Sequence, residues 1–333
     1  MLGCISLTWC GKAEMFRWLK GKDSKKETKA GSNGKINLEK LIEQITDIPT
    51  LPDIVFKVTE VINDPKSSAT DLEKTLSHDQ AIVTKILKLV NSAYYRRREK
   101  IDTLGRAIPM LGFQNIRNLV FSMSLLEFSS DEIDMRAFWR HSFASSLIAN
   151  EIARANNIDG ADAAACAALI HDLGKVILYQ HYPGQFINVT AMVNDGEMAF
   201  HDAESVIFGI NHAEVGKLVC EKWGFPATLT EPIRFHHSPR EATEFPALVA
   251  VVHLADIVSD KYGYGFLTDI KDTGLDKELA DNMLGAKDLK EKVEAKLSKE
   301  MPIFETFIDK MAAFRNNIEN HDRDLYAPSD VWS

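Results

Sequence analysis

An apolar run in this sequence ends in an adjacent imidazole and carboxylate, Ala168-Leu169-Ile170-His171-Asp172, and Gly174 and Lys175 follow directly. The residues before the pair, 163–170, are almost all small and read as a closely packed, buried helix. Burying a His-Asp pair at such a helix end is costly unless something compensates it. A divalent cation would do so, because neutral imidazole and carboxylate are both good ligands. On this dipeptide alone the plainer reading also stands, that both side chains simply reach solvent where the helix ends.

More histidines and carboxylates occupy helical settings further along. His141 lies within Phe138-Trp139-Arg140-His141-Ser142-Phe143. His212 opens a helix, and His236-His237 close another just before Ser238-Pro239. Asp256 sits inside the apolar stretch 251–257, where an unpaired carboxylate would be driven to protonate. No local spacing rule links residues so far apart; only a bundle that brings their helices together makes them a site. His78, His181, His201 and His321 lack such partners and read as surface or capping residues. His253, one turn before Asp256, reads as a satisfied core histidine, with a role in orienting a metal ligand as the alternative.

The elements that must position these groups are all helices. Apolar residues recur at helical spacing in Leu38, Leu41, Ile42 and Ile45, then in Ile54, Val55, Val58 and Ile62. Thr70 and Glu73 have capping-box spacing for a short helix through Leu76, and Ile82, Ile86, Leu89 and Val90 mark another. A short helix ended by Gly112 follows, then segments 114–128, 138–155, 161–170, 214–223, 227–236 and 247–260. Gly224-Phe225-Pro226 and Ser238-Pro239 separate the later ones. Helical stripes must be buried against one another, which predicts an all-α protein. After Asp269 the chain is rich in Lys, Glu and Asp, with a last amphipathic helix over 304–318 that reads as a solvated extension or a dimer contact.

Composition bounds the function. The 333 residues are 45% apolar and 26% charged, as in an ordinary soluble globular protein. The net charge of −9 argues against nucleic acid as the main partner, and Arg96-Arg97-Arg98 reads as a solvated cluster. Cys4, Cys10, Cys166 and Cys220 show no metal-type spacing; Cys166 and Cys220 read as core residues, and a reducing cytoplasm fits. No apolar run reaches membrane-spanning length, and the first residues do not form a signal peptide. Residues 1–36 read as a disordered leader or linker; Met15-Phe16-Arg17-Trp18 has the look of a start, which would make the first 14 residues an artefact of start assignment.

The order His, His-Asp, late Asp resembles the HD superfamily of metal-dependent phosphohydrolases. His141, His171, Asp172 and Asp256 match its metal motif, and His212, His236 and His237 match the extra ligands of its two-metal branch, which includes cyclic-dinucleotide phosphodiesterases. Ile48-Pro49-Thr50-Leu51-Pro52, the stretch 86–95 and Ala107-Ile108-Pro109-Met110-Leu111-Gly112 are similar to the signatures of the HDOD domain, the HD-related output domain of bacterial signalling proteins. The resemblance implies an HDOD domain over 37–265, with a helical subdomain at 37–130 packed on an HD-like bundle at 131–265, and a C-terminal extension at 266–333. It implies one or two divalent transition-metal ions (iron, manganese, zinc or nickel), with Asp172 shared between them and Lys175 near a phosphate. A nucleotide or other phosphoester would be the substrate and a signalling protein the partner. The glycine-tyrosine-proline element of the cyclic-dinucleotide branch is absent after His237, so specificity for cyclic di-GMP is not implied. The alternative is a catalytically inactive interaction module whose metal is structural or sensory.

Overall fold

The computed structural model describes residues 43, 53–63, 66–90, 101–113, 116, 119, 120, 134–194, 198–267 and 277–325. Among them there is no strand, and the protein is all-α. The leader, the Ile48–Pro52 motif, residues 91–95 with the following arginines, and most of 114–128 lie outside the described residues, as do Cys4 and Cys10.

Four short helices come first: α1 (Asp53–Asn63), α2 (Ala69–Leu76), α3 (Gln80–Val90) and α4 (Leu104–Leu111). Each buries one stripe: Val55, Val58 and Ile62; Leu72 and Leu76; Ile82, Ile86 and Val90; Leu104, Ala107, Ile108 and Leu111. The capping box lies two residues before the expected one. Ser68 caps α2 and Asp71 reaches back to the Ser68 N–H at 2.9 Å, while Glu73 accepts the Gly105 N–H at 3.1 Å and so ties α2 to the start of α4. Gly112, at φ 81°, ends α4 in a conformation that costs a glycine little.

The bundle is built on α5 (Met135–Ala155), which packs against α6 (Ala161–Ile170) and two later helices. Residues 164–170 of α6 are all buried. A helix apolar on every side belongs in a core, and alanine-sized side chains let its neighbours approach closely. Then come α7 (Leu173–His181), α8 (Pro183–Asn194), α9 (Phe200–Phe208), α10 (His212–Lys222), α11 (Ala227–Phe235), a 3₁₀ turn (Pro239–Glu241) and α12 (Pro246–Lys261). The helices α7 to α9 fill a stretch that sequence patterning leaves unassigned. The buried carboxylate of Glu231 on α11 accepts N–H groups from Thr243, Glu244 and Phe245, and so fixes the start of α12.

After α13 (Lys277–Leu284) comes α14 (Leu289–Leu325). It starts well before residue 304 because Leu289, Val293, Leu297 and Met301 extend the buried stripe at four-residue spacing. The Phe304 ring stacks on Phe143 of α5 at 3.9 Å, and Arg140 pairs with Glu305 at 2.6 Å. Residues 289–308 therefore pack on the bundle instead of standing in solvent.

Candidate metal centre

The break between α6 and α7 consists of two residues, His171 and Asp172. Both are buried, at 0% and 1% exposure, so the solvent-exposed reading of the pair is excluded. Around them α5 contributes His141, α10 its first residue His212, the end of α11 His236 and His237, and α12 Asp256. All seven residues singled out from the sequence converge. The Nε2 atoms of His141 and His171 are 3.2 Å apart, and Asp256 Oδ1 lies 3.1 and 3.4 Å from them. The Nε2 of His212 lies 3.3 Å from that of His236 and 2.9 Å from that of His237. Asp172 stands between the groups, its Oδ1 3.6 Å from His171 Nε2 and 3.3 Å from His212 Nε2.

The outward-facing nitrogens of four of these rings each carry a proton. His171 donates its Nδ1–H to the Ala168 carbonyl at 2.7 Å, and His236 to the Ile233 carbonyl at 2.7 Å. His141 donates to the Tyr264 carbonyl at 3.1 Å, and His212 donates to Glu204 Oε2. In the neutral His212 and His236 rings the two facing Nε2 atoms, 3.3 Å apart, therefore both present lone pairs. Acceptors facing acceptors at hydrogen-bond distance repel unless a cation lies between them. Asp172 Oδ1, buried and accepting no hydrogen bond, poses the same demand. The donor set thus fits divalent transition metals, with His141, His171 and Asp256 on one side, His212, His236 and His237 on the other, and Asp172 common to both.

Electrostatics distinguish the two sides. Burial keeps His212 and His237 neutral far below the ordinary imidazole range and pushes His236 down to about 3. Burial also disfavours charge on His171, yet Asp172 and Asp256 outweigh it and raise the group to about 9. Burial would raise Asp172 too, but Lys175, whose Nζ lies 2.9 Å from Oδ2, and His171 hold it below the usual carboxylate range. Burial and the charge of Asp256 lift Asp260, 3.5 Å from His141 Nδ1, to about 6.

Lys175 therefore engages Asp172, and its ammonium also sits 5.1 Å over the Phe200 ring. His253 donates Nδ1–H to the His236 carbonyl at 2.7 Å, supporting the backbone of His236 and not its ring. His78 is exposed, as expected. His201 is not a plain surface residue: its ring stacks on His237 at 4.4 Å and 13°. Glu204 was not legible as part of the centre, although it follows Phe200 and Ala203 on the apolar stripe of α9; a carboxylate on such a stripe is the signal.

A family model for the HDOD domain matches residues 48–239. An uncharacterized protein of Treponema pallidum (strain Nichols) is 28% identical over 223 residues, which is 65% of this chain and 43% of that protein, so the chain spans less than half the length of the curated relative it matches. Among solved structures, an HDOD domain protein with unknown function from Geobacter sulfurreducens aligns with a TM-score of 0.64 at 23% identity, covering 82% of this chain and 96% of that one. A provisionally named phosphohydrolase from Shewanella amazonensis SB2B gives 0.61 at 23% identity over 80% and 96%. A provisionally named signal transduction protein from Marinobacter aquaeolei VT8 gives 0.66 at 16% identity over 90% and 65%. At these identities the likeness is one of fold.

Proposed function

The chain belongs to the HDOD domain family, and from that premise we propose that it is a signal-transduction protein whose bundle holds a binuclear metal centre and hydrolyses a phosphoester. The observation that carries this reading is the convergence of five imidazoles on Asp172, whose Oδ1 accepts no hydrogen bond, with the facing Nε2 atoms of the neutral His212 and His236 3.3 Å apart. His141, His171 and Asp256 would hold one ion and His212, His236 and His237 the other, with Asp172 shared. Iron, manganese, zinc and nickel all suit this mixture of imidazole and carboxylate. Such a pair of ions, when bound, polarises a phosphoryl oxygen and activates water at neutral pH. The chain's own part is to keep His212, His236 and His237 neutral and Asp172 and Asp256 anionic, fix four of the rings through their Nδ1 acceptors and exclude bulk water. Lys175 holds Asp172 in place and balances its charge when metal is absent.

A second reading has its own support. His171, His212 and His236 are fully buried, and Asp256 is the most open ligand of the first group at 18% side-chain exposure. So enclosed a centre also suits a structural or sensory metal in a module that binds a signalling protein. Elemental analysis of wild type beside His171→Ala/Asp172→Ala tests the centre: two transition-metal equivalents lost in the variant are expected, and no metal in either refutes it. Phosphoester turnover abolished by Asp172→Asn in a folded protein decides for hydrolysis; a partner captured equally by both forms, with no turnover, decides for the module.

A further inference from the structure

One fully buried carboxylate lies behind the centre and touches no ion site directly. Glu204, at 0% exposure on α9, places Oε2 against both the main-chain N–H of His212 (2.8 Å) and its Nδ1–H. The other imidazoles with an assigned outward donor are held differently: His171 and His236 give that proton to main-chain carbonyls, and His141 to the Tyr264 carbonyl with the Ser259 hydroxyl nearby at 3.1 Å. Asn211 caps α10 by accepting the Glu214 N–H at 3.1 Å, and Glu204 accepts the separate His212 N–H while also holding the ring.

Charge distinguishes the two halves of the centre. The His141–His171 half has Asp256 as its own carboxylate. The His212–His236–His237 half has none, and relies on Asp172, whose other oxygen is neutralised by Lys175 at 2.9 Å. A divalent ion held in a buried site by neutral donors bears most of its desolvation cost uncompensated. A carboxylate hydrogen-bonded to the far nitrogen of an imidazole ligand raises that ligand's basicity and fixes its orientation.

We propose that Glu204 is the positioning residue of the second half: it orients His212 and, through that ring, supplies the negative charge that the His212–His236–His237 group lacks. This inference rests on the binuclear reading above. Its consequence is that the two halves load separately, the second depending on a residue that contacts no ion.

The test is a cobalt(II) titration of the full, chelator-stripped chain, followed by visible absorption and equilibrium dialysis, with helicity and melting measured in chelator. Wild type is expected to take up two equivalents. Glu204→Gln, and the apolar variant Glu204→Met, should keep the first equivalent unchanged and bind the second about 10- to 100-fold more weakly, with the chelator melting curve retained. Two equivalents bound as in wild type by either folded variant would overturn the inference and leave the binuclear reading intact. Unfolding of both variants in chelator, or equal loss of both equivalents, would assign Glu204 to the fold and overturn it as well. Fewer than two equivalents in wild type would overturn the binuclear reading itself, and this inference with it.

Discussion

Replacing Gly174 by alanine should dismantle the centre without touching a ligand. A Cβ at this position would lie 2.0 Å from the His212 carbonyl oxygen, 2.7 Å from its carbon and 2.8 Å from its Cα. All three are backbone atoms, so no rotamer change relieves the clash. To restore ordinary contact, beginning near 3.4 Å, the starts of α7 and α10 must separate by about 1.4 Å. The bond from Glu204 to the His212 N–H opposes that shift, and the shift itself would carry His212 Nε2 away from Asp172 Oδ1, now 3.3 Å distant. Overpacking ordinarily costs about 1–3 kcal/mol, and backbone against backbone belongs at the top of that range or above it. Two other glycines calibrate the result. At Gly216 the nearest atom is a side-chain methyl, Ile233 Cγ2 at 3.0 Å, which needs a shift of only about 0.4 Å to reach ordinary contact, so alanine there should cost about 1 kcal/mol. At Gly184, in α8, nothing lies within 4 Å, and alanine should be neutral or stabilise by up to about 1 kcal/mol. Guanidinium unfolding in chelator, with metal content measured by elemental analysis, reads all three. Gly174→Ala with the wild-type midpoint and full metal content would refute the reasoning.

Three further perturbations follow from the same geometry. Lys175→Met strands the buried Asp172 charge and should cost about 3–5 kcal/mol in chelator, most of it recovered with excess divalent ion; equal losses with and without metal in thermal melts would contradict this. Phe304→Ala removes a ring stacked on Phe143 and should cost about 3–5 kcal/mol by chemical denaturation; a loss under 1 kcal/mol would mean that α14 is not docked on α5 in solution. Burial would raise Glu231, but the N–H groups of Glu244, Thr243 and Phe245 outweigh it and hold the carboxyl below its ordinary value of 4.5. A group with a depressed folded pKa stabilises the fold fully above its unfolded value and loses that contribution as pH falls through the folded one. Wild type should therefore lose stability as pH drops below about 4.5, and Glu231→Gln should start lower, by about 1–3 kcal/mol at neutral pH, with a flatter acid limb.

How far the molecule was legible from its sequence depended on what each residue needed from distant parts of the chain. Helical stripes such as Leu72 and Leu76, or Ile82, Ile86 and Val90, are local, and so the helical class could be read from them. His171-Asp172 drew attention because a charged pair closes a run of small apolar residues, and the remaining candidate ligands followed from the resemblance of their order to the HD superfamily. The partners of those candidate residues were hidden. Glu204 reaches His212 across the turn at Gly209, and no periodicity connects residues on two different helices. His201 gains its meaning only by stacking on His237. The capping box moved from Thr70 to Ser68 because Glu73 is drawn to the Gly105 N–H, a contact 32 residues away. The last helix was read short because its first turns mix Lys and Glu with a stripe whose burial depends on α5.

The way the imidazoles are held also sets how the centre can drift under mutation. Ala168, Ile233 and Tyr264 hold their rings through main-chain carbonyls, and a carbonyl survives every amino-acid replacement at its own position. Neutral exchange of those side chains leaves the three acceptors in the chain as long as the backbone path is kept. His212 hangs instead from a side chain that one codon change can remove. Sequence divergence can thus reshape the surroundings of three rings while leaving their acceptors in place, and the fourth is where a single substitution can retune the centre within an unaltered fold.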